Sequence, residues 1–406
     1  MKLKTLKQLK NLTGKRVMVR VDFNVQIKKG KVVDDSRLHA SVETINYLQK
    51  QKAKILLVTH IGRPEGFEKE LSVKPVAKRL GDILKKDVGL IEISKKILKN
   101  LEEIEGNYFD EVVNYINTMK NGQVVLLENI RFFAGERNNS DAFSKGLASL
   151  CDVFVLDGFA VAHRASPSVV GVANNVKSCA GLLLEREVVG LTKVLAKPKA
   201  PFVTILGGAK METKVPVMKK LLPVSDYMLV SGGIYNTYLK AMGYGVGDSI
   251  VDSNFETEAF NYGKKKKVIL PLDVVVGSPD GKSYRLVNIE KKSHEICKKG
   301  EAIYDMGPAT IGLFAKYIKH AKTLVWNGAL GYFEQKPYHM GTFAMARLVA
   351  SRSKGTAYGV IGGGETVQTM ELVGMTQYVD LVSTGGGAML EFLSGKELPG
   401  VVAVSQ

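Results

Sequence analysis

Phe202-Val203-Thr204-Ile205-Leu206-Gly207-Gly208-Ala209-Lys210-Met211-Glu212-Thr213-Lys214 is the stretch from which the fold can be read. Phe202 to Leu206 is a short run of β-formers, the pattern of a buried parallel strand. Gly207 and Gly208 follow at once, and glycines at a strand end let backbone N–H groups come close to an anion. Lys210 and Lys214 place two cations beside that turn. Pro216 suits the first turn of a helix, so a helix is expected to start nearby, its N-terminus adding a partial positive charge. Each component favours phosphate. A plain tight turn with two solvated lysines is the competing reading, and the rest of the chain has to decide.

Working outward, strand and helix patterns alternate. Arg16 to Asp22, Lys54 to Thr59, Val124 to Glu128 and Val153 to Asp157 read as strands. Arg37 to Gln51 and the region around Val73 to Lys86 read as helices. This is the βαβ grammar of a parallel sheet with helices on both faces. Ligands of such sheets sit beyond the carboxyl ends of the strands. Asp22, Phe23 and Asn24 follow the first of these strands, with Arg37 downstream. His60, Gly62 and Arg63 follow the second, Arg131 the next, and His163 with Arg164 the one after. Arginine's planar fork suits carboxylate and phosphate oxygens, so this set predicts a pocket for a compact anion. The two histidines fit equally well as neutral hydrogen-bond donors.

Leu182 to Leu195 has helical periodicity and ends at the stiff Lys197-Pro198-Lys199-Ala200-Pro201 break. A domain boundary is expected along this helix, which makes it a hinge candidate. Beyond it the alternation resumes with other residues at the strand ends. Tyr227 to Val230 ends in Ser231-Gly232-Gly233, and Val268 to Leu272 at Asp273. Thr323 to Trp326 ends in Asn327-Gly328, with Gly331 and Glu334 close behind. Ala357 to Ile361 ends in Gly362-Gly363-Gly364-Glu365-Thr366, and Tyr378 to Ser383 in Thr384-Gly385-Gly386-Gly387. One glycine turn means little; several at one sheet edge suit a nucleotide, whose phosphates need backbone N–H groups and close approach.

Composition narrows the choices. At 406 residues, two domains with separate cores are expected. No apolar run approaches the roughly 18 residues of a membrane span, and no signal-peptide core follows the basic N-terminus. Cys151, Cys179 and Cys297 lack C-x-x-C spacing, so a reducing, cytoplasmic setting is expected. The formal net charge of +17 is compatible with nucleic acid, an anionic surface or polyanionic small substrates. Zinc-finger spacing and RNA-recognition aromatic motifs are missing. So are G-x-x-x-x-G-K-[ST], an intact G-x-G-x-x-G and the protein-kinase motif set, which weighs against P-loop NTPases and nicotinamide dehydrogenases.

At this point the motifs resemble those of the phosphoglycerate kinase family from end to end. They are V-D-F-N at Val21 to Asn24, H-I-G-R-P at His60 to Pro64, L-E-N-I-R-F at Leu127 to Phe132 and A-H-R-A at Ala162 to Ala165. In the second half they are L-G-G-A-K at Leu206 to Lys210, W-N-G at Trp326 to Gly328, G-G-G-E-T at Gly362 to Thr366 and S-T-G-G-G-A at Ser383 to Ala388. The resemblance implies an α/β protein of two Rossmann-like parallel-sheet domains, joined by a hinge helix, with a deep cleft between them. It implies residues 1–180 as a 3-phosphoglycerate domain, joined by a tail from about residue 390 to 406. Residues 181–197 become the interdomain helix, and residues 198–389 a domain for Mg-ADP or Mg-ATP. Leu398 to Val401, L-P-G-V, is similar to the family's returning tail.

The reaction implied is reversible phosphoryl transfer between 1,3-bisphosphoglycerate and ADP, giving 3-phosphoglycerate and ATP, with Mg2+. The resemblance assigns glycerate binding to Asp22, Phe23, Asn24, Arg37, His60, Ile61, Gly62, Arg63, Arg131 and Arg164. It assigns the nucleotide to Gly207, Gly208, Lys210, Lys214, Gly232, Asn327, Glu334 and Gly363 through Thr366, with Glu334 on the ribose and Glu365 on the metal. Arg37, Lys210, Gly363 and Gly364 are the expected catalytic groups. Small molecules are the expected partners of a cytoplasmic monomer, with neither nucleic acid nor membrane. Three departures stand out. Glu365 replaces the family's usual Asp, so the metal is expected to shift or to bind through water. Ala329 stands where a proline usually follows W-N-G, which predicts a looser loop. Ser231-Gly232-Gly233 replaces a triple glycine.

Overall fold

Six short strands carry the first half of the chain: β1 (Arg16–Arg20), β2 (Lys54–Val58), β3 (Val88–Ile91), β4 (Val124–Leu127), β5 (Val153–Leu156) and β6 (Ser178–Ala180). They form one parallel sheet in the order β3-β4-β2-β1-β5-β6. The computed structural model describes residues 2–93, 105–290 and 294–406. Two compact units emerge from its contacts, Met1–Val188 with Glu397–Gln406, and Val189–Lys396. The boundary falls inside the helix Leu182–Ala196.

Apolar runs with buried patterns on both faces explain the parallel sheet. Val17, Val19, Ile55, Leu57, Leu126 and Val155 are all fully buried against the helices Ser36–Lys50 and Lys74–Leu84 in one cluster. Each such side chain contributes roughly 1.5–3 kcal/mol relative to exposure. The register then aligns the strand ends, because Arg20 of β1 pairs with Val58 of β2 on one side and Leu156 of β5 on the other. The loops leaving these three strands therefore emerge at one edge. The C-terminal segment also belongs to this unit. Lys4 N–H donates to Val404 O (2.9 Å), Gln406 N–H to Lys2 O (2.8 Å) and Gly400 N–H to Ala162 O (2.8 Å).

The second unit repeats the plan with β7 (Phe202–Leu206), β8 (Tyr227–Val230) and β9 (Val268–Ile269). A small antiparallel sheet interposes β10 (Asp273–Gly277), β11 (Tyr284–Asn288) and β12 (Ala302–Met306). Then β13 (Thr323–Asn327), β14 (Tyr358–Gly362) and β15 (Leu381–Ser383) complete a parallel sheet ordered β9-β8-β7-β13-β14-β15. Leu206 pairs with Val230 and Asn327, Asn327 with Gly362, and Gly362 with Ser383. Five glycine-bearing turns thus share one edge. Trp326, fully buried, packs in the core below and donates its indole N–H to Gly328 O at 2.9 Å.

The structure corrects several expectations. Val268 to Leu272 is not one strand: β9 stops at Ile269, and Asp273 opens the antiparallel sheet. Its carboxylate accepts the Ala309 and Thr310 N–H groups (3.0 and 2.8 Å), capping the helix Pro308–His320 rather than facing a ligand. The turn Ser278-Pro279-Asp280-Gly281 between β10 and β11 was the available hairpin signal. Pro216 lies inside the helix Met211–Leu221, five residues beyond its start and not in its first turn. Strands β3 and β6 had no counterpart in the pattern reading; at four and three residues they are too short to show a period.

Candidate active site

The first unit gathers its predicted residues at the edge beyond β1, β2, β4 and β5. Asn129, fully buried, ties two of the loops together: its Oδ1 accepts Ile61 N–H (3.2 Å) and Arg131 N–H (3.2 Å), and its amide donates to Ile61 O (2.9 Å) and Leu71 O (3.0 Å). Arg131 donates to Gly62 O, and Gly62 N–H to Asn24 Oδ1 at 3.0 Å. Arg37, about one-third exposed, forms an ion pair with the buried Asp22. Asp22, Asn24, Arg37, His60, Gly62 and Arg131 are thus one linked group. Phe23 and Ile61 are different: their side chains belong to the core, and their N–H groups are taken by Thr59 Oγ1 (2.8 Å) and Asn129. Their part is to shape the edge.

Arg20 escaped the motif reading. It closes β1 with only 2% of its surface exposed, donating to Ser168 Oγ (2.9 Å) and to His60 Nδ1 (3.3 Å). Ser168 in turn donates to the buried Glu136 (2.7 Å). The signal was present in the sequence, as an arginine ending an apolar strand, R-V-M-V-R. Because guanidinium can only donate, His60 Nδ1 must accept, which puts the proton of a neutral ring on Nε2. Burial first, then the charges of Arg20, Arg131, Arg164 and Arg37, hold His60 well below the usual imidazole range. The 3.9 Å approach of His60 to Asp22 is therefore not an ion pair at neutral pH. Burial, then Arg164 and Arg20, push Arg131 down to about 10, still protonated.

Arg20 and Arg131 border a cavity of ≈ 570 Å³ that also carries Arg63, Arg137 and Arg164 against one carboxylate, Glu136; Asp22, Asn24, Arg37, His60 and Gly62 lie outside its wall. Five guanidiniums converging on one cavity repel each other unless an anion sits among them. Arg137 was also missed; its guanidinium donates to Arg131 O and Phe132 O, both at 2.8 Å.

In the second unit, Lys214 is 7% exposed and donates to Asn327 Oδ1; Asn327 donates to Gly362 O at 2.8 Å. Burial pushes Lys214 down to about 8, with Glu365 opposing the shift. Gly363, with φ 92°, leads into the helix Gly364–Leu372, whose first N–H groups have no helical acceptor. Thr366 Oγ1 receives Gly328 N–H at 2.7 Å. Lys210, exposed, holds the N-cap position of Met211–Leu221.

Gly207 and Gly208 require a correction. Their N–H groups are not offered to an anion: they donate to Asn327 O (3.0 Å) and Ala329 O (2.7 Å). The glycines are there because the two turns touch, and a Cβ on Gly207 would collide with the carbonyl oxygen of Ala329. Gly207→Ala is expected to destabilise the protein by about 1–3 kcal/mol through overpacking against backbone. Thermal or denaturant unfolding of the variant checks this; an unchanged midpoint would contradict it.

The Ala329 loop has a tie of its own to the helix Gly364–Leu372. Ala329 N–H donates to Glu365 Oε2 at 3.2 Å, a bond that a proline at this position could not make. The two departures from the family pattern therefore fit each other, the longer carboxylate meeting the extra donor. Beside them lies a cavity of ≈ 530 Å³ whose wall includes Gly208, Gly232, Ala329, Glu334, Glu365 and the aromatic Tyr304 and Tyr332.

A parallel-sheet unit with an arginine-lined anion cavity, and another with a glycine-rimmed cavity and a buried lysine, are the parts of a small-molecule kinase. The family model for phosphoglycerate kinase matches residues 6–396. A phosphoglycerate kinase of Dictyoglomus turgidum is 41% identical over 410 residues, covering 99% of this chain and 98% of that protein. One of Borreliella afzelii is 41% identical over 99% of both chains. Among solved structures, phosphoglycerate kinase from Coxiella burnetii matches with a TM-score of 0.84 at 38% identity, over 100% of this chain and 99% of that one. That from Pyrococcus horikoshii OT3 matches with a TM-score of 0.82 at 28% identity, over 98% of each. The chain belongs to the phosphoglycerate kinase family. Its activity is the family's glycolytic reaction, phosphoryl transfer between 1,3-bisphosphoglycerate and ADP.

Proposed function

We propose that the two units divide the reactants: the arginine-lined cavity holds the glycerate, and the glycine-rimmed cavity holds ADP or ATP. The observation that carries this is the contrast in chemistry, five arginines in one cavity against a buried lysine, free helix-start N–H groups and aromatic walls beside the other. Asn24, His60, Arg63, Arg131 and Arg164 bind the glycerate carboxylate and phosphate, with Asp22 aiming Arg37 and Gly62 passing its carbonyl to Arg131. Gly207, Gly208 and Gly232 let the turns approach the nucleotide. Lys214, Asn327 and Thr366 secure the phosphate end, and Glu334 accepts hydrogen bonds from ribose hydroxyls.

Phosphoryl transfer needs in-line placement and stabilisation of charge on the moving group. The acceptor is already a carboxylate, so no general base is required. Arg37 lies over the acceptor carboxylate and the migrating phosphoryl, and Lys210 follows the phosphoryl oxygens from the nucleotide side. The N–H groups at Gly363 and Gly364 complete the clamp. Among the described residues no cluster of three or more metal-binding side chains exists. Glu365 lines the nucleotide cavity, with one oxygen tied to Ala329 N–H. One carboxylate plus substrate phosphates is a donor set that suits Mg2+. Magnesium bound there with the nucleotide would neutralise charge on the phosphate oxygens.

Because each unit holds one reactant, transfer requires closure about the helix Leu182–Ala196, and closure excludes water from the acyl phosphate. Met1–Val188 with Glu397–Gln406, and Val189–Lys396, act as the two moving parts, so the tail joins the first part from Glu397 and not from about residue 390. The enzyme works as a cytoplasmic monomer. Three unpaired, buried cysteines support a reducing compartment. Arg131→Ala tests the division of labour: in a coupled assay the KM for 3-phosphoglycerate should rise about tenfold or more, with that for ATP within about twofold. A change confined to the KM for ATP would overturn it.

A further inference from the structure

Glu136 is the carboxylate in the wall of the arginine cavity, and it is only 7% exposed. Among the described residues no guanidinium pairs with it. Both of its oxygens go instead to Ser168, which is fully buried: Oε1 accepts the hydroxyl (2.7 Å) and Oε2 the backbone N–H (2.9 Å). A carboxylate only accepts, so the single hydroxyl proton of Ser168 points at Glu136 and its lone pairs are left for Arg20. Arg20 Nε donates to that oxygen at 2.9 Å, Nη2 to His60 Nδ1 at 3.3 Å, and Nη1 to the carbonyls of Val21 and Val58. Four of the five N–H groups of Arg20 are thus held within the protein. The fifth, on Nη2, is the one left for a ligand of the cavity that Arg20 lines.

A negative charge beside a bound anion opposes binding, so Glu136 needs another reason to be there. Its charge does raise the Arg20 and Arg131 guanidiniums against the effect of burial. A counter-charge, however, has no use for Ser168, and a direct pair with an arginine would be the stronger arrangement. The Ser168 bridge brings geometry instead. Glu136 sits in the short helix Ala134–Arg137, Ser168 in the segment Pro167–Gly171, and Arg20 at the end of β1, so three distant parts of the chain converge on one guanidinium.

We propose that Glu136 is a positioning residue for glycerate binding, which through Ser168 fixes the aim of Arg20 and through Arg20 the Nε2–H form of His60. This rests on assigning the glycerate to this cavity. Glu136→Gln and Ser168→Ala test it, singly and together. Glutamine keeps the size but cannot accept both Ser168 donors. Removing a negative charge from an anion site lowers the KM for 3-phosphoglycerate if charge alone matters; loss of aim raises it. Each single variant is expected to raise that KM about three- to tenfold, with the KM for ATP within about twofold. The two residues act through one contact, so the double variant should be no more than about twofold worse than either single one. The 15N resonance of His60 Nδ1 should move downfield in each, toward an imidazole nitrogen that has no donor. Should Glu136→Gln not fold, Ser168→Ala, which keeps every charge, decides by the same two readouts. A KM for 3-phosphoglycerate that is unchanged or lowered together with that for ATP unchanged, or an unmoved Nδ1 resonance, overturns the role of Glu136 while the cavity assignment stands. A moved resonance with only the KM for ATP raised overturns both.

Discussion

Arg37→Ala is expected to lower kcat by about 100- to 1,000-fold, the loss seen when one donor is removed from a preorganised charge-stabilising site. The affinity for ADP should stay within about twofold. Arg37 combines a fixed base with an open face. Its guanidinium is anchored on Asp22, itself nearly buried, yet about one-third of the side chain remains exposed. A guanidinium has five N–H donors, and one carboxylate leaves several for a ligand. Arg20, by contrast, is spent on Ser168, His60 and backbone carbonyls. Arg37 belongs to the first unit and the nucleotide cavity to the second, so a purely catalytic loss is the specific expectation. Steady-state and single-turnover rates, with ADP titrated calorimetrically, would check it; an unaltered kcat removes Arg37 from the mechanism.

Lys214→Ala should weaken ADP binding by more than tenfold, since a hydrogen bond to a charged group contributes about 1.5–3 kcal/mol. It should also change the pH dependence, and here the sign is specific. Burial depresses Lys214 to about 8, so the free enzyme loses this cation as pH rises through that value. A polyphosphate favours the protonated form. ADP affinity should therefore be flat below about pH 7 and fall between about pH 8 and 10, with proton uptake on binding at about pH 9. Calorimetry in two buffers of different ionisation enthalpy reads that proton directly. In Lys214→Ala the uptake should vanish. Wild-type binding at that pH with no proton uptake would show that Lys214 does not meet the phosphates.

The chain by itself determined the parallel α/β plan, which residues leave the strand ends, and the family motifs there. Those features arise from local causes: side-chain period along a strand, glycine and proline at turns, and a register that brings all strand ends to one edge. Arg63, Arg131 and Arg164 were legible for that reason. What only the tertiary structure decided comes from residues distant in sequence. Whether the Gly207 and Gly208 N–H groups are free depends on a loop far along the chain, at Asn327 and Ala329. That Arg20 joins the arginine group depends on Ser168 and His60 folding over it. The depressed pKa of Lys214 and the walls at Tyr304 and Tyr332 likewise come from burial and convergence, which a one-dimensional pattern does not encode.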